Sequence, residues 1–210
     1  MQINRNWIAL EGLDGCGKST QAKRIAERMG AVLVREPGGT PLAEELRGIL
    51  LSKEDREIDP HTELLLMMSA RSSLYHTVIL PALDAGRIVV SDRSILSSLA
   101  YQGILSGVGL QEILEAHEPL FAWLPTSVVL TVDVSTVTRR RGGGRDRIER
   151  RTGGAREKLE AAYWSAADHL NHRFRDAVVS VDGEGDIESV EQRILEAASS
   201  FIHPMASRKQ

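Results

Sequence analysis

Trp7-Ile8-Ala9-Leu10-Glu11 runs directly into Gly12-Leu13-Asp14-Gly15-Cys16-Gly17-Lys18-Ser19. The first five residues form a short apolar run, as a buried parallel strand would. The next eight fit the spacing G-x-x-x-x-G-K-[ST], a phosphate-binding loop. Its glycines permit tight backbone geometry and close approach to a ligand. Successive N–H groups and the N-terminus of the following helix then face an anion. Lys18 would reach the β- and γ-phosphates, and the Ser19 hydroxyl would ligate Mg²⁺. With glycine at its average usage of about 7%, such a pattern arises by chance in roughly 1% of chains this long. Residues 12–20, Thr20 included, are therefore the expected ATP-binding loop.

Outward from the loop, Ile25, Ala26 and Met29 share one face of a helix starting at Lys18, with Gly30 as its stop. Further strands are expected at 31–35, 87–91, 127–133 and 176–181. A helix over 41–51 takes Thr40 as N-cap and Pro41 at its first position. The stretch 60–85 reads as a long helix kinked at Pro81. Leu64 to Met68 make it apolar on every side, so it is expected to be buried all round, partly against a second subunit. A last amphipathic helix covers 187–201, and 203–210 reads as a frayed tail. Strands separated by helices give an α/β fold with a parallel sheet, in one domain over 1–202.

Composition narrows the function. The chain has 210 residues, 42% of them apolar, and a formal net charge of −3. That is enough to bury a core, and the charge balance argues against a general nucleic-acid binder. No apolar run approaches the ~20 residues that span a bilayer, and the first residues lack a signal peptide's apolar stretch. A cytoplasmic protein is expected. The single cysteine, Cys16, allows no internal disulfide and no cysteine-based zinc site; its place in the loop is read as that of a small residue rather than a redox switch. His169 and His172 lie at i, i+3 without other ligands and read as a solvated helix face.

Three later segments choose among phosphate-loop enzymes. Arg35-Glu-Pro-Gly-Gly-Thr-Pro-Leu-Ala-Glu-Glu-Leu-Arg47, Asp92-Arg93-Ser94 with Ser97-Ser98-Leu-Ala-Tyr101-Gln102-Gly103, and Gly144-Arg-Asp-Arg-Ile-Glu149 together resemble bacterial thymidylate kinases. Order and spacing hold from about residue 6 to 200. The resemblance implies an ATP- and Mg²⁺-dependent kinase of dTMP, usually homodimeric, built on a five-stranded parallel sheet wrapped by helices. It implies that Asp14 meets the sugar 3′-hydroxyl and that Arg47 and Arg93 clamp the acceptor phosphate. Arg71 would reach the pyrimidine O4, Ser98 the base edge, and Tyr101 would crowd the 2′ position beside Gln102. Glu36 and Ser97 complete this acceptor set. Asp92, at the end of an apolar strand, would hold magnesium through water; the competing reading pairs it with Arg93 for structure.

The run 139–151 reads RRRGGGRDRIERR, seven arginines broken by three glycines. It falls where the family keeps its lid, expected here over about 139–153. Arg141 and Arg147 fall on family positions, while Arg145 stands where an apolar residue is frequent. With Lys18 and Arg93 these arginines form the expected catalytic set. Two residues depart from the family pattern. Met67 replaces a phenylalanine that stacks on the base, and Ser94 replaces a tyrosine or histidine. They leave open a kinase of another pyrimidine nucleotide such as dUMP. An inactive nucleotide-binding relative is the alternative of a different class. No N-K-x-D guanine-reading motif occurs.

Overall fold

A computed structural model describes residues 1–52, 57–132, 136 and 156–201. The expected lid and tail lie outside the described residues. Five parallel strands, β1 (Gln2–Glu11), β2 (Val32–Arg35), β3 (Val89–Asp92), β4 (Trp123–Thr131) and β5 (Val178–Asp182), stand in the order β2-β3-β1-β4-β5. Every neighbouring pair is parallel. The central strand β1 is buried on both faces from Trp7 onward, with Ile8, Ala9 and Leu10 fully inaccessible. This is why it reads as a continuous apolar run.

The helices are α1 (Lys18–Met29), α2 (Pro41–Leu50), α3 (Pro60–Leu74), α4 (Leu80–Asp84), α5 (Ile95–Ser98), α6 (Leu110–His117), α7 (Arg156–Arg173) and α8 (Ile187–Ser199). Local chemistry sets several ends. Gly30 closes α1 in the left-handed conformation, φ +60°, its N–H reaching back to the Ala26 and Glu27 carbonyls. The Thr40 hydroxyl accepts the Ala43 N–H at 3.1 Å, and Asp59 caps α3 the same way through Thr62 at 3.0 Å.

The expected strand starts change. β1 begins five residues early, because Gln2 to Asn4 pair with Trp123 to Pro125 across a register shift before Ile8. Ile3 is the one apolar residue among them and none is buried, so no apolar run marks them. The stretch 60–85 is helical without a break as far as Asp84, with a π-helical segment, Tyr75–Ile79, between α3 and α4. Pro81 donates no hydrogen bond, and its ring would crowd the carbonyl four residues back; the wider turn upstream accommodates both. Within the chain the same stretch leaves one side open. Leu64, Met67 and Met68 are buried while Leu65 is 62% exposed.

The C-terminal ends of the central strands meet at one edge. Leu10 pairs with Asp92 and Glu11 with Val129. In open α/β sheets this is where ligands bind.

Candidate active site

The loop after β1 needs glycine at two places in particular. Gly12 has φ +132°, and a Cβ there would lie 2.9 Å from the Leu130 carbonyl oxygen on β4. Gly17, φ +99°, precedes the first turn of α1. Both conformations are rare for residues with a side chain. Lys18 is thereby buried at the helix start, its Nζ donating to Asp14 Oδ1 at 2.9 Å and to the Leu13 carbonyl at 3.3 Å.

Asp14 also receives Arg93. Arg93 Nη2 donates to Asp14 Oδ1 at 2.5 Å, while Nη1 donates to Ser97 Oγ at 2.9 Å and Tyr163 Oη at 2.6 Å. Burial pulls against the Arg93 charge, yet Tyr163, Asp14, Tyr101 and Glu11 hold its pKa well above the ordinary value. Arg93 is thus not committed to Asp92. Asp92 is nearly buried, and its Oδ1 finds no hydrogen-bond partner among the described residues.

Arg93 adopts φ +74°, uncommon for a residue with a side chain. The residue that holds it there carries no motif signal. Glu11, fully buried, accepts the Ser94 N–H at 2.7 Å, the Ser97 N–H at 3.3 Å and the Ser97 hydroxyl at 2.6 Å. The carboxylate therefore anchors the chain on the far side of Arg93. Burial raises the Glu11 pKa to about 7, against the opposing pull of Arg93 and the hydrogen bonds from Ser97 and Ser94. Tyr163, packed in the same cluster on α7, is pushed by burial well above the usual phenol value and stays neutral.

Beside this cluster lies a cavity of about 150 Å³. Eight residues expected from the sequence line it: Asp14, Glu36, Arg47, Met67, Arg93, Ser97, Tyr101 and Gln102, joined by Pro37 and Leu51. Met67 is on its wall rather than in the deep core. Arg47 Nη1 donates to the carbonyl of Pro37, a fellow lining residue, at 2.8 Å. Tyr101 and Gln102 sit on a second π-helical segment, Leu99–Leu105, a widened turn of the kind that recurs at functional sites. Gln102 Nε2 donates to Glu63 Oε1 at 2.7 Å. Its carbonyl Oε1 finds no partner among the described residues. Arg71 and Ser98 lie behind the wall, linked by Nη2 to Oγ at 3.0 Å. Arg71 Nε also meets Glu36 Oε2 at 2.6 Å, both side chains buried. Burial raises the Glu36 pKa, with Arg71 opposing.

On the other side of the loop lies a larger hollow, about 480 Å³, between Cys16, Gly17 and Thr20 and the segment Gly183 to Glu188 after β5. No motif in the sequence marks that segment as part of a site. Ser94, the second departure, is buried with its Oγ unpartnered among the described residues. Arg141, Arg145 and Arg147 lie outside the described residues.

Two cavities flanking a glycine-rich loop, with Asp14 joining Lys18 to Arg93 between them, suit transfer between two bound phosphates. The thymidylate kinase family profile matches residues 10–194. The chain belongs to the thymidylate kinase family. Thymidylate kinase of Pseudoalteromonas translucida is 36% identical over 205 residues, covering 93% of this chain and 96% of its own. That of Alkalilimnicola ehrlichii is 37% identical over 206 residues, 93% of each chain. The crystal structure of thymidylate kinase from Ehrlichia chaffeensis superposes with a TM-score of 0.68 at 27% identity, covering 92% of this chain and 97% of that one. The family match thus runs from the end of β1 through the loop to beyond β5.

Proposed function

We propose that the chain transfers the γ-phosphoryl group of ATP to dTMP, giving dTDP and ADP. The observation that carries this reading is the junction at Asp14, where Lys18 and Arg93 converge on one carboxylate between the two cavities. The donor nucleotide is assigned to the loop and the larger hollow beyond Gly17 and Thr20. The acceptor is assigned to the smaller cavity, its phosphate toward Arg47 and Arg93 and its base toward Met67, Arg71 and Gln102. Asp14 would then orient the sugar 3′-hydroxyl, and Tyr101 would crowd a 2′-hydroxyl.

Phosphoryl transfer passes through a loose transition state, so positioning and charge stabilisation supply most of the rate. Lys18 and Arg93 bring two fixed positive charges to the point of transfer. Planar guanidinium groups suit bidentate phosphate contacts. Ser19 and Asp92 would hold Mg²⁺, Asp92 through water. Hard oxygen donors suit this ion, and the buried, unpartnered Asp92 Oδ1 fits such a role. An ion held there would supply positive charge to offset that of the nucleotide's phosphates. Arg141, Arg145 and Arg147 are assigned to a lid over 139–153 that supplies further charge and excludes water.

The relatives' shared name favours dTMP over dUMP despite Met67 and Ser94. A homodimer through 60–85 and a cytoplasmic location complete the proposal. The exposed Leu65 supports the first. Consistent with the second, no helix among the described residues is long and apolar enough to cross a membrane. Turnover of dTMP, dUMP, dCMP and UMP with ATP and Mg²⁺ tests the reading. Preferred turnover of dTMP is expected; a preference for another acceptor, or no transfer at all, overturns it.

A further inference from the structure

Arg71 is buried, and its guanidinium is held from three directions. Nε donates to Glu36 Oε2 at 2.6 Å and Nη2 to Ser98 Oγ at 3.0 Å. The third partner is a histidine that no motif marks: Nη1 lies 2.6 Å from His117 Nε2. His117 is the last residue of α6 and wholly inaccessible, its ring packed 5.2 Å from that of Phe121.

The hydrogen-bond partners decide the state of this ring. Nδ1 lies 2.7 Å from the Ile113 carbonyl oxygen, which only accepts, so Nδ1 carries the proton. Arginine only donates, so Nε2 must be the bare, accepting nitrogen. A doubly protonated ring would set donor against donor and cation against cation. Burial, reinforced by the Arg71 charge, pushes the His117 pKa down to about 3.

We propose that His117 is a positioning residue that fixes the Arg71 guanidinium behind the acceptor-base cavity and so sets acceptor affinity and base selectivity. The inference rests on the assignment of Arg71 to the acceptor base. Charge explains why a neutral acceptor stands here. Glu36 already balances the Arg71 cation, and a second carboxylate would leave net negative charge beside a site built for an anionic nucleotide. A neutral imidazole supplies direction without charge. Its rigid ring, anchored at both nitrogens, stops the guanidinium from swivelling about the single ion pair with Glu36.

His117→Phe keeps a ring and removes the acceptor; His117→Asn keeps a neutral acceptor; Arg71→Lys removes the planar fork. With His117→Phe, the KM for dTMP is expected to rise about tenfold, the worth of one charge-assisted hydrogen bond. The KM for ATP stays within about twofold, and the kcat/KM preference for dTMP over dCMP falls; these are the signs of lost positioning rather than general damage. His117→Asn recovers most of the loss. If Arg71→Lys raises the dTMP KM and His117→Phe does not, the proposal fails while the assignment of Arg71 stands. If neither moves it, both fail. Ring ¹⁵N shifts of wild-type protein keep the test independent of how the variants fold. A neutral ring protonated at Nδ1 is expected at neutral pH, and a charged or Nε2-protonated ring overturns the proposal.

Discussion

At the residue scale, the charged groups of the site are paired with one another. Asp14, Lys18 and Arg93 form one contact set, and Glu11 holds Arg93 in a backbone conformation that costs on the order of 1–3 kcal/mol when unsupported. Glu11 also makes stability depend on pH. Its pKa is raised from 4.5 to about 7, so between those values the folded chain holds a proton that the unfolded chain releases. The stabilisation is complete below the lower value and is lost as pH rises through the upper one. Glu11→Gln never ionises. Its stability relative to wild type should therefore improve by about 2–3 kcal/mol between about pH 5 and pH 8, read by urea unfolding. A difference that does not change with pH contradicts this titration. The sequence marks Glu11 only as the last residue of an apolar run, with no sign of a site role. Its partners are more than 80 positions away.

At the element scale, short-range chemistry decided where most helices begin and end. The Thr40 cap and Pro41, the Gly30 stop and the phosphate loop all act over a few residues, so their spacing was legible. Thr40→Ala removes a cap that also meets Ser73 Oγ at 2.8 Å on α3. It is expected to cost about 1 kcal/mol, measured as a shift in the urea midpoint with unchanged slope; a cost near zero would mean the cap is replaced by water. The π segments were not legible. Each depends on what the next element must accommodate: Pro81 after the first, and the packing of α6 against Gly103 in the second, where a Cβ would lie 3.0 Å from Leu110 Cδ2. For the proposed lid, Arg147→Ala should lower kcat by about 10³-fold or more while ATP still binds. A kcat near the wild-type value rules out that role.

For the whole molecule, the net charge of −3 conceals how the cations are placed. Arg47, Arg71 and Arg93 come from α2, α3 and the loop after β3, yet gather around one cavity. The exposed Leu65 on α3 carries the proposed dimer. Leu65→Glu is expected to give a monomer in sedimentation at micromolar concentration with its fold retained, and an unaltered dimer places the interface elsewhere. The amino-acid sequence by itself determined the parallel α/β architecture, the phosphate loop and eight of the residues that line the smaller cavity. Apolar periodicity, caps and glycine spacing are local signals, and the motif segments carry the family likeness. Only the tertiary structure decided that Arg93 turns to Asp14 rather than Asp92, that Glu11 and His117 support the two site arginines, and that a hollow opens beyond Gly17. Each of these turns on which buried donor meets which acceptor. Desolvation makes such pairing obligatory, but the partners become neighbours only when strands and helices far apart in the chain are packed together.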